Sequence, residues 1–143
     1  MDSPIFKVAD VMQTSPNIVS GLESVKSAIE TMSRHGVNTL VIERRHDGDE
    51  YGLVTVQDIA AKVVAVNRST QRTSVYEIMT KPALSISADM NVKYAIRLLA
   101  ELGLGQALVA GSNGLLGLVS LRDLVLSYAG SEESEDEDSP PDQ

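Results

Sequence analysis

The chain of 143 residues contains no cysteine and no tryptophan, and only one phenylalanine beside four tyrosines. Without cysteine there are no disulfides, no thiolate zinc sites and no cysteine nucleophile. With 3% aromatic and 43% hydrophobic residues, the core has to be aliphatic, built from Val, Ile, Leu, Ala and Met. No apolar run approaches the ~20 residues that a membrane-spanning helix needs. The opening Met1-Asp2-Ser3-Pro4 lacks the basic segment and apolar run of a signal peptide. A cytoplasmic protein without membrane attachment is therefore expected.

Positive charge is scarce in the whole chain, but the deficit is local. Residues 131–143 carry seven acids and no base, while the other 130 residues carry 13 acids against 12 bases. A generic nucleic-acid binder presents a basic patch, and a body this close to neutral gives no reason to expect one. The tail from residue 130, rich in Ser, Glu, Asp and Pro without apolar periodicity, is expected to be disordered. It reads as a solvated extension, or as a contact for a basic partner.

What the chain does have is an internal repeat. Val11-Met12 corresponds to Ile78-Met79, Val19-Ser20 to Ile86-Ser87, Val25, Ala28 and Ile29 to Val92, Ala95 and Ile96, and Gly36-Val37 to Gly103-Leu104. The offset then shortens within a polar loop, Arg44 to Glu50 in the first copy and Gly111 to Gly114 in the second. After it, Gly52-Leu53-Val54-Thr55-Val56-Gln57-Asp58-Ile59 matches Gly117-Leu118-Val119-Ser120-Leu121-Arg122-Asp123-Leu124. Length changes belong in surface loops.

Each copy reads as β-α-β-β-α. Short extended stretches are expected at Ile18 to Ser20 and Leu84 to Ser87. Helices follow from Ser24 to His35, with Val25, Ala28, Ile29 and Met32 on one face, and from Asn91 to Leu102, with Val92, Ala95, Ile96 and Leu99. Gly36 and Gly103 stop them. Paired strands are expected at Thr39 to Ile42 with Tyr51 to Val54, and at Ala107 to Ala110 with Leu115 to Val119. Closing helices run over Val56 to Val66 and Leu121 to Tyr128. A unit of about 55 residues buries too little surface to be comfortable alone, so the two copies are expected to share a core. The expected organisation is a first repeat at 1–66, a linker at 67–74, a second repeat at 75–129 and the tail at 130–143.

The Gly-to-Asp strings at the last strand–helix junction resemble the mark of cystathionine-β-synthase (CBS) domains, and the pair resembles a Bateman module. The openings Met12 to Pro16 and Met79 to Pro82 resemble that family's usual start. The resemblance covers Val8 to Tyr128. It implies an α+β fold of two pseudo-symmetric β-α-β-β-α repeats packed sheet to sheet in one module, homodimerisation, and clefts between the repeats that take AMP, ADP, ATP or a related adenosyl compound. It implies no catalytic role, no required cofactor, and a regulated partner protein that reads a conformational change. Asp58 and Asp123 would hold ribose, with Thr55 and Ser120 beside them. Leu118 and Arg122 would complete the second site, with Thr14 and Asn17 facing it from the opening of the first repeat. Thr80 and Ala83 would face Asp58, and backbone groups there would read the adenine edge.

Elementary chemistry supplies two roles for the motif. Thr55-x-x-Asp58 and Ser120-x-x-Asp123 are capping boxes with Asp in place of the usual Glu. A helix N-terminus also attracts phosphate, and a carboxylate accepts hydrogen bonds from vicinal ribose hydroxyls. Arg122 precedes one Asp and Gln57 the other, so the Asp123 site is expected to be the better phosphate site. The alternative reading is a ligand-free dimerisation scaffold in which the motifs only cap helices. His35 and His46 lie far apart without cysteine and make no zinc site. Asp47-Gly48-Asp49-Glu50 lacks the register of a calcium loop. Gly111-Ser112-Asn113-Gly114 has no phosphate-binding Lys and precedes a strand, so it reads as a hairpin turn. No metal site and no nucleophile–base set is expected.

Overall fold

The computed structural model describes residues 6–138. Six strands and four α-helices follow in chain order: β1 (Ile18–Val19), α1 (Val25–His35), β2 (Thr39–Ile42), β3 (Gly52–Thr55), α2 (Val56–Ile59), β4 (Ser85–Ser87), α3 (Val92–Leu102), β5 (Gln106–Gly111), β6 (Gly114–Ser120) and α4 (Leu121–Asp138). They form two three-stranded sheets, β1-β2-β3 and β4-β5-β6. In each sheet the first pair is parallel and the second antiparallel. The architecture is mixed α+β, with two β-α-β-β-α repeats.

The chain divides into two compact units whose boundaries differ from those of the repeats. One is Pro16–Ala83, called here the Asp58 unit. The other, the Asp123 unit, is built from the described residues of Met1–Ser15 and Leu84–Gln143. Each unit therefore combines the body of one repeat with the opening segment of the other. Val8 is fully buried in the aliphatic core formed by Ile86, Val92, Leu99, Val109 and Leu124. Val75 and Ile78 are buried in the core of Val25, Met32, Leu40, Ile42, Val54 and Val63. Complete burial of one such side chain is worth ~1.5–3 kcal/mol, so each opening segment is anchored where it packs.

Local chemistry sets the helix limits. The Ser24 hydroxyl accepts from the Ser27 amide at 3.0 Å and starts α1; Asn91 accepts from the Lys93 amide and starts α3. Gly36 and Gly103 end these helices with φ of 64° and 68°, a left-handed conformation open to glycine. The stretch 67–74, expected as the linker, is bonded to the start of α1. Its Thr70 and Thr73 carbonyls accept the Lys26 and Val25 amides, and the Thr73 hydroxyl donates to the Ser69 carbonyl at 2.7 Å. It thus satisfies amides that the first turn of α1 leaves unpaired.

Three differences from the sequence expectation have physical reasons. The helix after β3 is α-helical only over four residues and continues as a π-helical turn, Ala60–Val64, closed by the Ala65 amide on the Ala60 carbonyl at 2.8 Å. The apolar pattern identifies the rod but not its winding. Ile29, expected on the buried face of α1, lies at its edge and is partly exposed. Finally, α4 continues through Asp138 into the stretch expected to be disordered. Gly130 costs a helix only ~1 kcal/mol, residues 131–138 contain no proline, and Glu is a good helix former. Residues 139–143 of the expected tail lie outside the described residues.

Candidate functional site

Each sheet receives an additional edge contact from an opening segment. In the Asp123 unit the Gln13 amide donates to the Leu118 carbonyl at 2.8 Å, and the Leu118 amide returns a bond to Gln13 at 3.0 Å. In the Asp58 unit Leu53 and Thr80 exchange the same pair at 2.9 and 2.8 Å. The glycines of the two motifs make this approach possible. A methyl on Gly117 would collide with the Gln13 carbonyl oxygen, and one on Gly52 would come within 3.1 Å of the Thr80 oxygen. These glycines are backbone-approach residues, a role the repeat alignment marks but does not explain.

The pairing carries Thr14 into the same unit as Leu118, Ser120, Arg122 and Asp123, and carries Thr80 and Ala83 into the unit of Thr55 and Asp58. Asn17, expected beside Asp123, belongs to the Asp58 unit, where its carbonyl accepts from the Val41 amide at 2.9 Å. The pairing also limits what the backbone can offer. Both backbone groups of Leu118 and of Thr80 that face their partners are used, and the Ala83 amide donates to Tyr51. At Thr80 and Ala83 the amides expected to read a base are thus already engaged, which leaves the Thr80 hydroxyl and the Ala83 carbonyl.

The two aspartates have different surroundings. In the Asp58 unit the capping box is complete: the Asp58 amide donates to the Thr55 hydroxyl, and the Thr55 amide donates to Asp58 Oδ2, both at 3.0 Å. Asp58 Oδ1 faces Lys62 Nζ at 3.4 Å, and its side chain is 18% exposed. In the Asp123 unit only half of the box forms, the Asp123 amide donating to Ser120 Oγ at 3.0 Å. The Asp123 carboxylate is 55% exposed and its described partner is Arg122, with Nη1 3.6 Å from Oδ1. It stands in the first turn of an eighteen-residue helix. A carboxylate with open lone pairs and a guanidinium beside it can take a polyhydroxyl group and an anion together; of the first-turn amides, that of Leu121 donates to the Gly105 carbonyl and that of Asp123 to Ser120, which leaves that of Arg122.

Lys62 was not apparent from the motif, although its spacing of four from Asp58 on a helix is a recognisable ion-pair register. Two further ion pairs hold the opening segment of the second repeat. Lys81 Nζ contacts Asp49 Oδ2 at 2.6 Å. This bond, with the Arg45 amide, holds the Asp49 carboxyl well below the usual carboxylate range. The Ser74 amide, followed by Arg68 at 2.6 Å, likewise lowers Glu77. Among the described residues there is no group of three or more His, Asp or Glu able to hold a metal ion. No described helix is long and apolar enough to cross a membrane.

Two β-α-β-β-α units, each with a Gly-to-Asp strand–helix junction crossed by an opening segment, define a tandem-repeat module of the CBS class. The CBS domain family model matches residues 8–65 and 75–130, and the chain belongs to that family. An uncharacterised protein MK0525 of Methanopyrus kandleri is 27% identical over 117 residues, covering 81% of this chain and 57% of its own length. The chain thus spans little more than half of that relative. The hexameric CBS-CP12 protein from bloom-forming cyanobacteria is 28% identical with a TM-score of 0.84, over 99% of this chain and 79% of that one. The CBS domain pair of protein MJ0100, solved in complex with 5′-methylthioadenosine and S-adenosyl-L-methionine, is 23% identical with a TM-score of 0.76, over 89% and 98% of the two chains.

Proposed function

We propose that the chain is a non-catalytic regulatory module that binds an adenine nucleotide, with Asp123 as its principal ligand residue, and passes the bound state to a partner protein. The observation that carries this reading is the contrast between the two aspartates. Asp58 has its capping box closed, whereas the Asp123 carboxylate is exposed and free of backbone bonds. Asp123 would accept from the ribose hydroxyls, the guanidinium and backbone amide of Arg122 would take phosphate, and Thr14 and Ser120 would contribute hydroxyls. The MJ0100 pair shares the fold at 23% identity; its adenosyl ligands suggest which compounds to try, and the assignment rests on the residues of this chain. Binding would act by favouring one of two conformations, which requires different affinity for the two.

A second reading, a ligand-free dimerisation scaffold, draws on Asp58, whose carboxylate is fully explained as a cap. Titration calorimetry of the full chain with AMP, ADP, ATP and S-adenosylmethionine separates the two. Saturable binding of which the tighter component is lost in a folded Asp123→Ala variant supports the sensor. No heat from any of the four in the wild-type protein supports the scaffold.

A further inference from the structure

Gln57 gives the Asp58 motif no charge at the position that Arg122 fills beside Asp123, which suggests a phosphate-poor site. The fold supplies a cation there from a different register. Lys62 Nζ lies 3.4 Å from Asp58 Oδ1 and donates to the Ile78 carbonyl at 3.1 Å, with its side chain half exposed. An ammonium carries three donors, so one hydrogen bond and one ion pair leave capacity for an anion. Position 127, which corresponds to Lys62 in the other repeat, is Ser. Each motif thus has one cation at its aspartate, one residue before it in the Asp123 unit and four residues after it in the Asp58 unit.

The backbone around Lys62 is also unusual. It sits in the π-helical turn Ala60–Val64, whereas α4 continues as α-helix past position 127. Single π turns inside helices are rare and frequent at functional sites. At the start of α2 the Val56 amide donates to the Asn38 carbonyl and the Asp58 amide to the Thr55 hydroxyl, so an anion there depends chiefly on a side-chain charge. Two other cations of this unit are committed elsewhere: Lys81 to Asp49 and Arg68 to Glu77, both at 2.6 Å.

We infer that Lys62 is the residue that selects phosphate-bearing over uncharged adenosyl ligands at the Asp58 site. The inference rests on the nucleotide reading above and extends it to the second site. Without Lys62, Asp58 would present a bare negative charge that repels phosphate. With Lys62 the pair is neutral overall and offers an acceptor for ribose beside a donor for phosphate.

The test uses the full chain carrying Asp123→Ala, which leaves the Asp58 site, titrated with AMP and with adenosine. Lys62→Gln removes the charge while keeping a polar side chain; Lys62→Arg keeps the charge. Asp123→Ala protein is expected to bind AMP more tightly than adenosine. Lys62→Gln should reduce AMP affinity about five-fold, the scale of a partly exposed ion pair, leave adenosine unchanged, and be rescued by Lys62→Arg. An unchanged ratio of AMP to adenosine affinity, or an equal loss of both, would overturn the role of Lys62. So would wild-type protein that binds AMP while the Asp123→Ala protein binds neither ligand. Wild-type protein that binds no nucleotide at all would remove the nucleotide reading itself, and this inference with it.

Discussion

Gln13 and Leu118 exchange a reciprocal pair of backbone hydrogen bonds directly over Gly117, where a β-carbon would meet the Gln13 carbonyl. Residues more than a hundred positions apart in the chain are thereby joined at the strand that leads into the Asp123 helix. Gly117→Ala is expected to destabilise the protein by ~1–3 kcal/mol, the cost of overpacking against rigid backbone. Gly52→Ala, which has slightly more room beside Thr80 and a movable Met79 side chain, should cost less. Urea unfolding of the two variants checks the order.

The aspartates should separate by stability as well as by binding. Asp58→Ala removes the acceptor of the Thr55 amide and the partner of Lys62, and is expected to cost ~1–2 kcal/mol. Asp123→Ala removes no backbone bond and should stay within ~0.5 kcal/mol of wild type. Equal losses in chemical denaturation would show that the two motifs are structurally equivalent after all.

Val8 is a core residue of the unit formed mostly by the second repeat. Val8→Ala is expected to cost ~2 kcal/mol through lost burial and an unfilled cavity. Hydrogen exchange should locate the loosening in α3 and β4, near Val92 and Ile86, with little change in α1. Loosening concentrated in α1 would refute the exchange of opening segments.

Asp49 supplies a pH test. Its folded carboxyl is lowered from an ordinary value of 3.8, first by the Lys81 hydrogen bond and then by the Arg45 amide. A lowered folded value means that the ion form stabilises the fold above the unfolded pKa and that this stabilisation is lost as pH falls below it. The stability difference between wild type and Lys81→Met should therefore be full at neutral pH and shrink progressively below about pH 4. A difference independent of pH down to 2 would exclude the pair as its source.

The legible parts of the fold were those governed by neighbours in sequence. Thr39–Ile42 appears as expected, Gly36 and Gly103 adopt the left-handed helix stop, and Gly111 pairs with Gly114 around a two-residue turn. The motif glycines, aspartates and hydroxyls were equally legible because the repeat displays them twice. What was not legible depends on contacts distant in sequence. The anchoring of Val8 and Val75 and the use of the Thr80 amide in strand pairing follow from where an opening segment packs. Lys62 lay in plain view four residues after Asp58, but its significance depends on a π turn and on the Ile78 carbonyl, neither of which apolar periodicity records.

The most direct test of nucleotide binding at Asp123 is two-dimensional amide NMR of the full chain during titration with AMP. Binding there predicts saturable shifts at Thr14, Leu121, Arg122 and Asp123, and their loss in Asp123→Ala at the same AMP concentrations. No saturable shift in the wild-type protein, or shifts that avoid these residues and persist in Asp123→Ala, would contradict it.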